Sequence, residues 1–202
     1  MIARVPASAP ALVLSARLGL VSVPETDPSE TPLSGSEPLE RMAVRAALES
    51  LAASLGLTLI RQAAAFPEAE EGEAIAEDPA VRRLLGALDA VWLRDGAIVA
   101  CFAIETGAAG FESVRRLADL LALYPKLKAP LYAVTAPALR AGLVAEVHRP
   151  ALLAAKKPLA ACLRLLEWER LESEVSQLGE RVRYLKPEFL EGISEPIVPP
   201  AD

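Results

Sequence analysis

The chain has 202 residues, of which 52% are apolar and only 4% aromatic, and its formal net charge is −6. This length allows one well-buried core and is too short for two ordinary domains. The acidic charge disfavours DNA as a partner, because DNA-binding proteins usually present a basic surface to the phosphates, but it leaves room for a local basic groove.

The N-terminal part of the chain is expected to be flexible. Residues 1–36 are rich in Pro, Ser, Thr and Glu, and such a segment cannot bury enough apolar surface to offset the entropy of ordering. Its apolar piece ALVLSARLGLVSV is compatible with a strand or with a segment draped over the domain. Arg17 interrupts this piece, Pro6 and Pro10 precede it, and no apolar run is long enough to cross a bilayer. We therefore expect a cytoplasmic protein with no membrane contact.

A domain is predicted over residues 37–190, with a C-terminal tail at 191–202. Residues 38–55 have helix-forming composition, and Gly56 is well placed to end the helix. A strand, LTLIRQA, and an acidic loop, FPEAEEGEAIAEDPA, come next. Asp78 and Pro79 then begin a short helix.

The most informative block is LDAVWLRDGAIVACFAIE. It predicts a strand at 88–93, a tight turn at Arg94-Asp95-Gly96 and a second strand at 97–105. A helix with the apolar stripe Val114, Leu117, Leu120 and Leu121, a buried strand LYAVTA and a helix starting at Pro137 follow. This order predicts an α/β fold with a mixed sheet flanked by helices.

The C-terminal region has a heptad-like pattern. It predicts one long helix over about residues 158–184, and its stripe comprises Trp168, Leu171, Val175, Leu178, Val182 and Leu185. Two interpretations stay open: the 168–185 seam packs on the sheet of its own domain, or it forms the contact of a homodimer.

Several motifs in this order and spacing carry a resemblance. They are Leu88-Asp89-Ala90-Val91-Trp92, Phe102-Ala103-Ile104-Glu105, Arg116-Leu117-Ala118-Asp119-Leu120-Leu121 and Pro125, followed by LYAVTAP and His148-Arg149-Pro150. Over about residues 38–190 the chain resembles the PD-(D/E)XK superfamily, specifically an uncharacterised bacterial branch with a degenerate active-site motif. The resemblance implies a restriction-endonuclease-like fold and marks Asp89 and Glu105 as candidate site residues.

The chemistry of active relatives explains which residues the site needs. A metal ion activates water and stabilises the charge on the phosphate, and two carboxylates can hold Mg²⁺ or Mn²⁺. Asp89 would be the first ligand, but Ala103 replaces the expected second acid and Glu105 occupies the lysine position. Residues two apart on a strand share a face, so positions 103 and 105 should both point where Asp89 points.

Three hypotheses follow. In the first, catalysis is lost and the chain is a binding or assembly module that could be associated with DNA. In the second, Asp89 and Glu105 hold Mg²⁺ or Mn²⁺ in a rearranged endonuclease site, and Arg115, Arg116 or Lys126 supplies positive charge. In the third, the family match is mistaken and the two acids are ordinary polar strand ends.

Most of the other polar residues and both cysteines are expected to have structural roles. Arg116 lies three residues before Asp119 on the helix, so a local ion pair is one expected role. Arg116 also matches a position of the resembled family, which suggests a structural clamp behind the active-site strand. His148 is placed near a helix C-terminus, where its partial charge suits the dipole. Cys101 and Cys162 lack metal-ligand spacing and are expected to be small buried side chains. Glu40 is a candidate accessory acid on the first helix.

Overall fold

The computed structural model describes residues 39–60, 78–107 and 110–197. The predicted flexible segment 1–36, most of the acidic loop and the last five residues lie outside the described part. Among the described residues, no helix combines the length and the apolar character needed to cross a membrane.

One six-stranded mixed sheet forms the centre of the domain, with its strands in sequence order. The two N-terminal pairings and the last pairing are antiparallel, whereas β3, β4 and β5 run parallel. The strands are β1 Thr58–Ile60, β2 Ala90–Arg94, β3 Ala97–Glu105, β4 Leu131–Thr135, β5 Leu163–Glu167 and β6 Glu195–Pro196. The sheet thus extends into the segment assigned to the tail, and the predicted α/β class with a mixed sheet flanked by helices is confirmed.

Helices cover both faces of this sheet. In the described part they are α1 Leu39–Ser54, α2 Pro79–Gly86, α3 Glu112–Leu123, α4 Arg140–Val147, α5 Pro150–Leu153, α6 Trp168–Leu178 and α7 Phe189–Ile193. The helix predicted from Pro137 is divided: one 3-10 turn precedes α4, and α5 begins anew at Pro150. Arg149 is extended, as expected for a residue that precedes a proline.

The hairpin between β2 and β3 follows from its turn residues. Arg94 pairs with Ala97, which leaves Asp95 and Gly96 as a two-residue turn with φ of 51° and 82°. Asp and Gly tolerate this left-handed conformation, and such turns match the twist of a hairpin. The predicted turn is confirmed, and the bounds of β3 agree with the prediction.

Two apolar clusters form the core, one on each face of the sheet. The α3 face contains Val91, Cys101, Ala103 and Leu117, all fully buried. The α1 face contains a stack of three aromatic rings, with centroid distances of 4.6 Å between Trp92 and Phe102 and 5.3 Å between Phe102 and Tyr132. Because β3 and β4 are covered on both faces, they are apolar almost throughout rather than alternating.

The prediction of one helix over residues 158–184 is wrong. A 3-10 turn at Leu159–Ala161 leads into strand β5, and the helix α6 begins only at Trp168 and ends before a second 3-10 segment, Gly179–Tyr184. The run LRLLE lies between β4 and β6, and its leucines are buried on both faces. Such a strand shows no alternation, so its short apolar run cannot be distinguished from a helix by periodicity.

The heptad-like seam packs inside the domain. Leu171 and Val182 are buried in the α1-face cluster, and the other seam side chains pack against it: Trp168, Val175, Leu178 and Leu185. This stripe therefore has an intramolecular role. The predicted homodimer through the 168–185 seam stays a prediction.

Two substitutions in α1 test how the core is distributed. Leu48 is fully buried and Met42 is 50% exposed on the same helix. Leu48→Ala should lower the free energy of unfolding by about 2–5 kcal/mol, since it removes a core side chain and leaves a cavity. Met42→Ala should change it by no more than about 0.5 kcal/mol. Urea denaturation measures both, and equal losses would mean that α1 docks through another face.

Candidate functional site

Asp89 lies immediately before β2 and is buried, with only 3% of its surface exposed. Its Oδ2 accepts a hydrogen bond of 2.7 Å from the backbone N–H of Ile104 on β3. The carboxylate thus accepts a hydrogen bond from a backbone N–H of β3 that lies beyond the last residue of β3 paired with β2.

Two arginines of α1 neutralise Asp89. Oδ1 accepts hydrogen bonds from Nε and Nη2 of Arg41 at 2.9 and 2.6 Å, and from Nη2 of Arg45 at 3.0 Å. Arg45 Nε also donates to the backbone oxygen of Asp89 at 3.1 Å. Hydrogen bonds between ionised groups are the strong ones, and a buried carboxylate requires such partners because desolvation alone is costly.

Arg41 connects the two helical layers around the end of the sheet. Besides Asp89, its Nη2 contacts the hydroxyl of Ser113, a residue of α3 that is 2% exposed. Since α1 and α3 pack on opposite faces, a single guanidinium joins both layers to the segment that enters β2.

Glu105, at the end of β3, caps the N-terminus of α3. Its Oε1 accepts a hydrogen bond of 3.0 Å from the backbone N–H of Val114. Phe111, the residue before α3, has a φ of 49° and makes no side-chain capping bond. The carboxylate of Glu105 supplies the acceptor that the helix lacks, and an anion suits this end of the dipole.

Burial raises the pKa of the Glu105 carboxyl above its ordinary value. The Val114 N–H and the charge of Arg41 lower this pKa, and the charge of Asp89 raises it, but desolvation is the largest cause. Asp89 and Glu105 are therefore close enough to interact through charge, although they bind different helices. The structure brings the two predicted acids to one end of the sheet.

Ala103, the position at which the resemblance leads us to expect an acid, is fully buried in the apolar cluster on the α3 face. By strand alternation it shares this face with Glu105, as predicted. An apolar side chain fits these surroundings, whereas a carboxylate there would need a partner of its own.

The three predicted sources of positive charge have other neighbours in the structure. Arg115 pairs with Glu146 at 2.7 Å, and Arg116 donates to Glu112 and to the backbone oxygen of Ala87. Arg116 thus holds the segment that leads to Asp89, which fits the clamp role, but its carboxylate partner is Glu112 rather than Asp119. Lys126 follows the C-terminal end of α3, at the opposite edge of the sheet. The cations on Asp89 come from the first helix instead.

Arg41 and Arg45 are the residues that the sequence reasoning missed. Their spacing of four places both on one side of α1, which is a usable signal. The partner, however, is 44 to 48 residues away, and local pattern does not specify it. Glu40, the candidate accessory acid on the same helix, is exposed.

As arranged, the two acids do not fit a divalent metal ion. Oδ1 of Asp89 already accepts three N–H donors, Oδ2 accepts a fourth, and both guanidiniums would repel a cation. Burial favours the neutral form of Glu105, which is a poor ligand. Within the described ranges, no three or more His, Cys, Asp or Glu side chains converge to hold a metal.

The remaining polar candidates have structural roles. His148 follows the last residue of α4, and its Nδ1 lies 2.8 Å from the backbone oxygen of Val144, as the helix-end assignment predicts. Cys101 is buried and unpaired, and burial raises the pKa of its thiol to about 12. Cys162 is half-buried and unpaired.

Replacing Asp89 tests the ion-pair cluster. Asp89→Asn removes the charge that balances two partly buried arginines, so it should lower the free energy of unfolding by about 3–5 kcal/mol. Asp95→Asn is the matched control, because this residue is exposed in a hairpin turn whose left-handed backbone Asn tolerates. Thermal and urea denaturation compare the two. Similar small effects would mean that Asp89 contributes little to the fold.

Glu105→Gln tests the raised pKa. Because the folded-state pKa exceeds the ordinary 4.5, the neutral acid contributes stability that is present below that value and lost as the pH rises through the folded-state pKa. Glutamine stays neutral and keeps an acceptor for Val114. The Tm of the variant should therefore rise relative to that of the native protein as the pH increases above 4.5.

The exposed residue Glu40 provides the control for this substitution. Glu40→Gln should show no such trend with pH. If the difference in Tm between Glu105→Gln and the native chain is constant across the range, or falls, the charged form of Glu105 is the one that the fold stabilises.

No curated protein and no solved structure matches the chain. A family model described as the Type II restriction enzyme NmeDI C-terminal domain matches residues 55–197. This range begins just after α1 and includes all six strands together with Asp89 and Glu105. Arg41 and Arg45 precede it. The match covers more than half of the sequence, and the chain therefore belongs to the Type II restriction enzyme NmeDI C-terminal domain family.

Proposed function

We propose that this chain is a DNA-associated, restriction-endonuclease-type module that does not cleave phosphodiester bonds. The observation that carries the proposal is the pairing of Asp89 with Arg41 and Arg45. In an active site of the PD-(D/E)XK kind, to which we assign the chain, this carboxylate holds a metal ion. In this chain, Asp89 forms ion pairs with Arg41 and Arg45 instead.

The charges of the cluster support this proposal. Two guanidiniums carry the same total charge as one divalent ion, and they offset the charge of Asp89 without any metal. Asp89 could bind a metal only after giving up its hydrogen bonds to Arg41 and Arg45, and both partly buried ion pairs would then be lost. Breaking a buried pair in this way is strongly unfavourable.

Membership in a restriction-enzyme family supports the association with DNA. Fold and family alone do not certify chemistry, since one scaffold hosts many functions. Ala103 supports the loss of catalysis, because a methyl group cannot act as the second metal ligand. The two arginines at the site are poor proton acceptors and do not supply a general base.

The second candidate is a rearranged endonuclease that uses Asp89 and Glu105 with Mg²⁺ or Mn²⁺. One observation favours it: the two acids lie close enough for the charge of Asp89 to act on Glu105. In this alternative both acids are metal ligands, and the arginines of α1 must swing away.

Calorimetry and cleavage assays separate the two candidates. The native protein, Glu105→Gln and Asp89→Asn are each titrated with Mn²⁺. The glutamine substitution preserves the capping bond to Val114. The proposal predicts equal, negligible heats in all three and no cleavage of supercoiled plasmid with Mg²⁺ or Mn²⁺. Fluorescence anisotropy with a labelled duplex in EDTA should detect salt-dependent binding by the native protein.

The outcomes are distinguishable. Metal-dependent cleavage that disappears in Glu105→Gln would establish the rearranged endonuclease and refute a non-catalytic module. Metal heats in the native protein that are lost in both variants would place the ion between these acids. Failure of the native protein to bind any duplex at low salt would refute the association with DNA.

A further inference from the structure

Positive charge is concentrated in one part of this acidic chain. Residues 120–166 contain seven Lys or Arg residues and a single carboxylate, Glu146, which gives a formal charge of +6. The rest of the chain carries −12. Four of the five lysines of the whole chain lie in this part: Lys126, Lys128, Lys156 and Lys157.

The fold brings these four lysines together. Two lie in the connection from α3 to β4 and two in the connection from α5 to β5. Lys157 Nζ donates a hydrogen bond of 2.6 Å to the backbone oxygen of Leu127, whose side chain is buried. Both connections precede parallel strands, so they lie at the edge where β4 and β5 begin. Asp89 and Glu105 lie at the opposite edge.

The charges of this lysine patch, defined as Lys126, Lys128, Lys156 and Lys157, are not offset by neighbouring acids. Lys126, Lys128 and Lys156 are exposed, and in the described part of the chain none of them pairs with a carboxylate. Three arginines, in contrast, are paired with acids: Arg115 and Arg149 share Glu146, and Arg140 pairs with Glu167 and Glu195.

We propose that the lysine patch binds the backbone phosphates of duplex DNA. Ammonium groups on flexible stems bind phosphates as point charges and do not read base sequence, so binding through the patch should be sequence-independent. The inference rests on the proposed association with DNA and adds its location, at the edge away from Asp89 and Glu105. The net charge of −6 is unevenly distributed along the sequence, since residues 120–166 carry +6 and the rest of the chain carries −12.

Lysine-to-glutamine variants test the location. Lys126→Gln, Lys128→Gln and Lys156→Gln are combined, and Lys186→Gln is the control, since Lys186 is the fifth lysine, exposed and outside the patch. Anisotropy of a labelled duplex is measured from about 50 to 200 mM salt. Each phosphate contact contributes about 0.9 to the slope of log K against log salt. The magnitude of the slope should be about two to three smaller in the triple variant than in the native protein, and Lys186→Gln should keep the native slope.

Each outcome decides one point. A native slope in the triple variant would overturn the lysine patch as the DNA surface while leaving the association with DNA intact. Absence of binding by the native protein would instead refute that association. Equal losses in the triple variant and in Lys186→Gln would show a general charge effect and overturn the location.

Anionic lipid is the competing partner, because Leu123 and Leu153 are 52% and 43% exposed and each lies three residues before a patch lysine. Co-sedimentation with vesicles of phosphatidylserine and phosphatidylcholine addresses this. Binding to vesicles that the triple variant loses, without binding of duplex DNA by the native protein, would overturn the proposal in favour of a membrane surface.

Discussion

The pairing of a buried aspartate with two arginines organises this end of the molecule. Burying the Asp89 carboxylate costs several kcal/mol unless charged and hydrogen-bonding partners compensate. Arg41, Arg45 and the Ile104 N–H supply them, and their geometry fixes where α1 docks against the start of β2. Because Arg41 also contacts Ser113, the position of α3 depends on the same guanidinium.

Glu105 shows how a strand-end acid can serve structure. The N-terminus of α3 lacks a side-chain cap from Phe111, and the carboxylate of Glu105 provides the acceptor. Desolvation raises the pKa of this carboxyl, and the hydrogen bond from the Val114 N–H lowers it. Both predicted acids thus have structural partners that account for their presence, which weakens any argument for catalysis drawn from residue type alone.

Local signals in the sequence were sufficient for much of the fold. The Asp95-Gly96 turn, the Asp78 cap of α2 and the helix-forming composition of α1 each depend on neighbours a few residues apart. Strand β5 was missed because burial on both faces removes alternation. The partners of Asp89 were missed because they are set by how α1 packs, and residue spacing on α1 does not encode that.

The two edges of the parallel sheet differ in how their charges are compensated. At the edge of Asp89 and Glu105, arginines and acids pair with each other, so an external ligand would have to break an internal pair before it could bind. At the edge of Lys126 and Lys156, no internal carboxylate competes within the described residues. A polyanion there would gain attraction without first disrupting the fold. This difference favours a binding role at the edge of Lys126 and Lys156 and a structural role at the edge of Asp89 and Glu105.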